Sequence, residues 1–147
     1  MKQENVFWVP TIGYYFYAVD TAKSPQPHRY MQATLERARQ NISTARELGV
    51  KIANGFDPSS ADAHGKNSHE LIAMTKLGLS PLEAIRAATT NAAELMGWQD
   101  KIGSIEPQKY ADIIAVSGDP IADIGELERV KFVMKSGAIV KNEFTPR

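Results

Sequence analysis

The segment from residue 50 to residue 98 constrains the fold more than any other part of the chain. A β-branched run at residues 50–53 leads within a few residues to Asp57, and a polar loop and a long helical pattern follow. A strand that ends in an aspartate before a loop and a helix is typical of a β/α barrel, where side chains at the carboxyl ends of the strands form the active-site face. The pattern therefore predicts a β/α unit that presents the Asp57 carboxylate at a functional face.

The residues before this unit show the same alternation of strand and helix. Residues 6–12 are aromatic and β-branched, which predicts a buried strand. The tyrosine-rich residues 13–18 are expected to form an aromatic loop or lid. The proline-containing residues 24–27 break the pattern, and a helix is expected over residues 28–48.

Two further helices are expected after Asp57. The first starts at Asn67 or Ser68, and the second covers residues 81–96. Ser80, a proline at the first helical position and Glu83 match an N-terminal capping box, in which each residue caps the backbone of the other.

The last third of the chain changes character. Short β runs at residues 102–105, 112–116 and 130–141 are separated by turn sequences, and a hairpin is expected across Ser136 and Gly137. We therefore divide the chain into residues 1–100, which alternate between strand and helix, and residues 101–147, which form an antiparallel β module. Alternation favours parallel packing, but two strands cannot close a barrel, which needs about 250 residues. The chain is either a fragment or obtains the rest of its fold from another polypeptide.

Composition excludes several classes of function. Lysine and arginine together number 17, as do aspartate and glutamate, so the chain has no electrostatic footprint for nucleic acid or for an anionic membrane. The absence of cysteine excludes disulfides and thiolate metal sites and agrees with a reducing cytosol. No signal-peptide pattern and no membrane-spanning apolar run is present. We expect a soluble, cytoplasmic protein.

Four motifs occur in the order found in a known superfamily. GVKIANGFD at residues 49–57, HGKN at 64–67, GLSPLEAIRAATTNAAEL at 78–95 and IGSIEPQKYADI at 102–113 resemble the C-terminal part of the metal-dependent amidohydrolases. The similarity is greatest to the imidazolonepropionase-like and Xaa-Pro dipeptidase (prolidase-type) branch. It implies an α/β fold that is the C-terminal remnant of a (β/α)8 barrel, its last two βα units, followed by a small β-sandwich segment. Residues 6–12 would be the seventh strand.

The resemblance also implies a metal centre to which this chain contributes one ligand. The family's other ligands are histidines and often a carboxylated lysine on earlier strands, and these would lie upstream of Met1. Only Asp57 corresponds in position to a ligand, the aspartate of the eighth strand. It would bind a divalent metal, with zinc expected in the intact family, and would accept a proton from the attacking water. In this chain alone the metal is either that ion or none.

Other polar side chains are candidates for substrate binding. Tyr14 and Tyr15 follow a barrel strand, so a phenol could donate to a substrate carbonyl or carboxylate; packing between loops is the alternative. His64 could orient a substrate carbonyl or be an ordinary loop residue, and His69 is expected to face solvent. An independent metal site formed by Asp57, Asp62, His64 and His69 is chemically possible, but the histidine spacing is poor for one helical face.

Two functional hypotheses follow. In the first, the chain is a fragment of a metal-dependent hydrolase that acts on carbon–nitrogen bonds of small amide or dipeptide-like substrates, and it is inactive alone. In the second, it is a non-catalytic associating fragment completed by another chain or by a second copy in a homo-oligomer. The sequence departs from the family at Phe56, where threonine is usual, and at Gln108, where a Pro-Gly-Lys turn usually has glycine.

Overall fold

The computed structural model describes residues 6–21, 25–58 and 60–144, so the start of the first predicted domain and the end of the second lie outside the described residues. Within the described residues, five helices are followed by three strands. In chain order these are α1 (Gly13–Thr21), α2 (Pro25–Glu47), α3 (Ser68–Lys76), α4 (Pro81–Ala88), α5 (Thr90–Leu95), β1 (Ile113–Ala115), β2 (Phe132–Lys135) and β3 (Ala138–Asn142). Two short 3-10 helices, Ala61–Ala63 and Ile124–Glu128, lie between them.

The two predicted barrel strands run parallel, as expected, but meet in a single bridge between Trp8 and Ile52. The Trp8 amide donates to the Lys51 carbonyl (2.9 Å), and the Ala53 amide donates to the Trp8 carbonyl (3.0 Å). The prediction of full strands over residues 6–12 and 50–53 is therefore wrong. Beyond the bridge, the backbone groups bond to helices and side chains instead of extending the ladder.

Helices α4 and α5 cover the far edge of the second of these segments. The Asn91 side chain donates to the Ile52 carbonyl (2.9 Å), and the Asn54 amide donates to the Ala87 carbonyl (3.0 Å). Because these backbone groups already have partners, that part of the edge is closed to another strand.

The core lies between the parallel pair and helices α2, α3 and α4. Its buried side chains are aliphatic, and they remove apolar surface from water, which is the main favourable term in folding. They are Ile12, Ala38, Ile42, Ala45, Ile52, Leu71, Ala73, Met74, Leu77, Leu79, Ala84 and Ala87. The one charged side chain buried among the described residues is that of Glu70, which is 0% exposed.

The aromatic segment after the first parallel segment is a helix, and the prediction of a loop over residues 13–18 is wrong. Helix α1 starts there because the Ile12 carbonyl accepts bonds from the amides of Tyr15 (3.0 Å) and Phe16 (3.3 Å). The amides of Ile12 and Gly13 have no hydrogen-bond partner within the helix at this end, and both donate to the carboxylate of Glu70.

The predicted capping box at the start of α4 is confirmed. The Glu83 amide donates to Ser80 Oγ (3.3 Å), and the Ser80 amide donates to the Glu83 carboxylate (2.7 Å). The single helix expected over residues 81–96 is instead divided into α4 and α5. The break falls at Thr89, whose backbone (φ −125°, ψ −91°) leaves the helical region.

We expect Ser80→Ala to lower the free energy of unfolding by about 1 kcal/mol, because it removes the acceptor for the Glu83 amide. Urea denaturation of the two chains measures the difference. Ser117→Ala, at an exposed position in the tail, is the control and should change the unfolding free energy by less than about 0.5 kcal/mol. Equal changes in the unfolding free energy for the two substitutions would show that the Ser80 cap makes no specific contribution to stability.

The tail forms a three-stranded antiparallel sheet in the order β1-β2-β3. The predicted hairpin across Ser136 and Gly137 is confirmed, and both residues have positive φ (50° and 82°), as tight hairpins require. Asp112 secures this turn by accepting the Ser136 amide (2.7 Å). The strand expected at residues 102–105 is absent, since residues 102–104 form bends and residue 105 is irregular. That this sheet is part of a β-sandwich domain stays a prediction.

Gln108 adopts the conformation that glycine adopts most easily. Its φ is 73°, in the left-handed region, at the turn position where the sequence lacks the usual glycine. A residue other than glycine therefore occupies the left-handed position of this turn.

Among the described helices, none combines the length and the apolar character that a membrane crossing requires.

Candidate functional site

Three of the four predicted site residues line one open cleft. Asp57, Tyr14 and Tyr15 border a cavity of about 750 Å³, which we call the Asp57 cleft. Its walls come from the parallel pair, the first turn of α1 and one face of α2. The other lining residues are Trp8, Val9, Pro10, Thr11, Ile12, Tyr30, Thr34, Arg37, Ala38 and Asn41.

Asp57 ends the second parallel segment and borders the cleft. The side chain is exposed, and its backbone has φ 46°, an uncommon conformation for a residue other than glycine. Neighbouring side chains on an extended chain point to opposite faces. Phe56 accordingly turns away from the cleft: it is 4% exposed, and its ring centroid lies 6.5 Å from that of His69. The bulk of Phe56 therefore does not enter the Asp57 cleft.

The tyrosines reach the cleft because α1 begins immediately beside it. Tyr14 and Tyr15 occupy the first turn of this helix, and both are half-buried. The Tyr14 ring lies 6.4 Å from that of Tyr17, one turn further along. Tyr14, Tyr15 and Asp57 thus border a common volume, and the arrangement is compatible with a polar substrate there.

Glu70 is the residue that the sequence analysis missed. Its carboxylate is fully buried on α3 and accepts the Ile12 amide through both oxygens, Oε1 at 3.1 Å and Oε2 at 2.8 Å, and the Gly13 amide through Oε2. A signal was present, because Glu70 lies four residues before Met74 and seven before Leu77, on the apolar stripe of that helix. A carboxylate on such a stripe needs a buried partner.

Burial raises the pKa of Glu70 to about 7. Loss of solvent is the largest cause, and the negative charge of Asp57 acts in the same direction. The amides of Gly13, Ile12 and Thr11 favour the ionised form and oppose the shift, but they do not cancel it. The group is therefore poised to change its charge near neutral pH.

Helices α1 and α3 approach each other closely enough to require glycine at position 13. A Cβ atom there would lie 2.5 Å from the Glu70 nitrogen and 2.6 Å from its Cα. Side-chain atoms essentially never come so close to backbone atoms, so a larger residue would push α1 away. The start of α1 is thus fixed against α3 both by packing and by hydrogen bonds.

His64 lies outside the set of residues that line the Asp57 cleft. It is exposed and ends the 3-10 helix Ala61–Ala63, where its amide donates to the Ala61 carbonyl (3.3 Å). The structure therefore does not bring His64 together with Tyr14 and Tyr15, and its role in substrate binding stays a prediction.

The expectation that His69 faces solvent is wrong. Its Nε2 lies 3.1 Å from Glu128 Oε1, and its side chain is 23% exposed. The ring of Tyr17 meets it edge-on, with the centroids 5.6 Å apart. His69 thus links α3 to α1 and to the 3-10 helix Ile124–Glu128.

The alternative metal site is also not formed. Across residues 6–21, 25–58 and 60–144, no three histidine, aspartate or glutamate side chains are grouped so that they could hold a metal ion. Asp62 instead accepts a hydrogen bond from the Tyr17 hydroxyl. A catalytic zinc normally has three protein ligands and one open position, so the described residues alone do not provide a complete centre of this kind, and Asp57 as a ligand stays a prediction.

Comparison with protein families gives one match over most of the chain. Residues 17–140 match the model of the amidohydrolase family. The matched region includes Asp57, helices α2 to α5 and the tail sheet up to the middle of β3, and it begins after the cleft residues that precede α2.

Individual relatives agree with the family match. The imidazolonepropionase of Symbiobacterium thermophilum is 40% identical over 89 residues, which cover 59% of this chain and 20% of that protein. The ochratoxinase of Aspergillus niger is 30% identical over an alignment of 149 residues, which covers 96% of this chain and 30% of that enzyme. A crystal structure of an Xaa-Pro dipeptidase with methionine in its active site superposes with a TM-score of 0.80 at 36% identity, over 97% of this chain and 36% of that one. The chain thus spans between about a fifth and about a third of these relatives.

Proposed function

Since this chain belongs to the amidohydrolase family, we propose that it is the C-terminal portion of a metal-dependent hydrolase that acts on carbon–nitrogen bonds. The observation that carries the proposal is the Asp57 cleft, which Asp57, Tyr14 and Tyr15 border together. A carboxylate that follows a strand of a parallel pair has the position of an active-site residue in β/α folds.

The proposed substrate is a small amide or a dipeptide-like molecule. Support comes from the Xaa-Pro dipeptidase, whose name states a dipeptide substrate and whose similarity extends over 97% of this chain. Tyr14 and Tyr15 are the proposed hydrogen-bond donors to a carbonyl or carboxylate of that substrate. We propose that His64 orients the substrate, and the support for this role is the position of His64 in the loop after Asp57.

Asp57 has two proposed roles. Its carboxylate supplies one oxygen ligand to a divalent metal, for which we propose zinc, and it accepts a proton from the water that attacks the substrate. A bound metal supplies hydroxide at neutral pH by lowering the pKa of water. The remaining ligands must come from outside the described residues.

The same proposal extends to the fold. Residues 1–100 would form the last two βα units of a (β/α)8 barrel, and residues 101–147 would form part of a β-sandwich domain. The parallel bridge between Trp8 and Ile52 supports the first assignment, and the antiparallel sheet β1-β2-β3 supports the second. The chain covers about a third of the similar dipeptidase structure, which agrees with a portion of a larger fold.

We expect the 147-residue chain alone to show no turnover that depends on Asp57, because one carboxylate cannot hold a catalytic zinc. The test measures hydrolysis of Xaa-Pro dipeptides with added zinc, cobalt or manganese, for the chain and for Asp57→Asn. Robust activity that Asp57→Asn abolishes would contradict this expectation and would show that the site is self-contained.

One observation favours the second hypothesis, a non-catalytic fragment that associates. Both ladder bonds of Trp8 go to one side, so residues 7 and 9 direct their backbone groups to the other edge. No described strand pairs with that edge, and Val6 and Val9 beside it are 45% and 38% exposed. Unpaired edges of this kind favour pairing with another chain.

We therefore expect the isolated chain to self-associate at micromolar concentration. Sedimentation velocity and light scattering over a dilution series measure the mass, and Val9→Lys, which places a charge at the edge, should lower it toward that of one chain. A compact monomer with a cooperative melt at every concentration would contradict the expectation.

A further inference from the structure

We infer that Glu70 is a positioning residue of the Asp57 cleft: through the backbone of Ile12 and Gly13 it fixes the start of α1 and so directs Tyr14 and Tyr15 into the cleft. Glu70 itself does not line the cleft. The inference rests on the proposed function only for what the two tyrosines bind.

The contacts of Glu70 are unusual for a structural glutamate. The side chain is 0% exposed, and its hydrogen bonds go to main-chain amides 57 and 58 residues earlier in the chain. The Ile12 amide ends the first parallel segment and the Gly13 amide begins α1, so neither has a hydrogen-bond partner within that helix. A buried carboxylate with this choice of partners fixes backbone position and direction, because main-chain amides cannot rotate away as side-chain donors can.

The segment that Glu70 holds has a conformation that needs external support. Thr11 has φ 52°, in the left-handed region, and its amide also faces the Glu70 carboxylate. Residues other than glycine keep such a conformation only where the surrounding structure fixes them, and they are frequent at functional sites. The amides of the next two residues, Ile12 and Gly13, donate hydrogen bonds to the Glu70 carboxylate. This carboxylate therefore stabilises the bend at Thr11.

The position of the tyrosines follows directly from this bend. Tyr14 and Tyr15 are the first two residues after Gly13, whose Cα packs against the backbone of α3. A second attachment lies one turn along α1, where the Tyr17 ring meets His69. His69 and Glu70 are neighbours on α3, so this helix holds α1 at two points and determines where the first turn faces. Removing the Glu70 contact should free the end that carries Tyr14 and Tyr15.

The test compares three variants of the chain with ring-labelled tyrosine, observed by NMR. Glu70→Ala removes the acceptor, Glu70→Gln keeps an oxygen that can accept the same amides, and Glu83→Gln is a control that weakens the cap of α4. Five tyrosines give separate signals, and Tyr110 in the tail reports on the rest of the fold. Glu70→Ala should shift the ring signals of Tyr14 and Tyr15 and leave that of Tyr110 in place. Glu70→Gln and Glu83→Gln should leave all three in place.

Amide hydrogen exchange can first be measured on the unmodified chain, so this part of the test does not require a variant to fold. In the unmodified chain, the Ile12 and Gly13 amides should exchange as slowly as the bridge amides of Trp8 and Ala53. In Glu70→Ala, exchange at Ile12 and Gly13 should accelerate at least about tenfold, and Glu70→Gln should restore it. If Glu70→Ala does not fold, Gly13→Ala should displace the same tyrosine signals while Glu70 is intact.

Three results would overturn the inference. The first is free exchange of the Ile12 and Gly13 amides in the unmodified chain. The second is a folded Glu70→Ala or Gly13→Ala with unchanged Tyr14 and Tyr15 signals. The third is a folded Glu70→Gln that is as disturbed as Glu70→Ala, since this would show that charge, and not the acceptor oxygen, matters.

A kinetic arm separates positioning from the proposed function. In the longer protein that carries the complete metal centre, Glu70→Ala should raise KM for an Xaa-Pro dipeptide about tenfold and leave kcat within about twofold. Glu83→Gln should change neither. If the unmodified enzyme hydrolyses no such substrate, the proposed function fails, and the tyrosine signals still decide whether Glu70 positions α1. A fall in kcat with KM unchanged would contradict the positioning role.

Discussion

The chain is expected to lose about 3 kcal/mol of stability between pH 4.5 and pH 8 through one carboxyl group, that of Glu70. Its pKa is about 7 in the folded chain, against an ordinary value of 4.5. A raised pKa means that the folded state binds the proton more tightly than the unfolded state does. The contribution is therefore fully present below pH 4.5 and is lost as the pH rises through 7.

Glu70→Gln is the matched comparison, because the amide keeps an acceptor oxygen for Ile12 and Gly13 and does not titrate. Urea denaturation of both chains from pH 4 to pH 8 gives the difference in unfolding free energy at each pH. Groups that do not interact with Glu70 are the same in both chains and cancel to first order. The difference should favour Glu70→Gln increasingly as the pH rises. Two curves that stay parallel would show that the buried carboxyl does not titrate in this range.

Local signals in the sequence predicted the local features of the fold. The capping box at Ser80 and Glu83 and the hairpin turn at Ser136 and Gly137 each depend on residues within a few positions of one another. Their energetics do not require distant partners, so sequence reasoning could identify them. The parallel relation of the first two segments was also predictable, because it follows from their alternation with helices.

Features that depend on distant contacts were not predictable. Helix α1 forms where a loop was expected, because Glu70, far along the chain, accepts the amides at its start. The two parallel strands shorten to one bridge, because the Ile12 amide, further along the same side of the first segment as Trp8, bonds to the Glu70 carboxylate and not to the second segment. In both cases tertiary partners overrode a local preference.

In the candidate site, too, the residues with local signals were predictable and those that depend on distant contacts were not. Asp57 was identified from its position after a strand, and the cleft brings it together with Tyr14 and Tyr15. Glu70 was missed because a glutamate in a helix is usually a surface residue, and only its place on the apolar stripe indicated otherwise. His64 could not be placed from sequence, because a loop position does not determine which side of the loop a side chain takes.

The second large effect concerns Asp57 in the complete enzyme that we propose, of which this chain would be the C-terminal portion. Asp57→Asn should reduce kcat for an Xaa-Pro dipeptide at least about a hundredfold, because the amide cannot accept the proton of the attacking water and is a weaker metal ligand. Bound zinc per chain should fall as well. Asp112→Asn is the matched control: this carboxylate secures the tail turn, outside the Asp57 cleft, and its loss should leave kcat within about twofold.

The measurement that tests the central claim most directly is therefore the kcat of these three proteins, with zinc content determined on the same samples. The account predicts that Asp57→Asn alone loses turnover and metal together, while Asp112→Asn retains both. An Asp57→Asn protein that keeps its full kcat and its zinc would contradict the account, because the Asp57 carboxylate would then be neither ligand nor base.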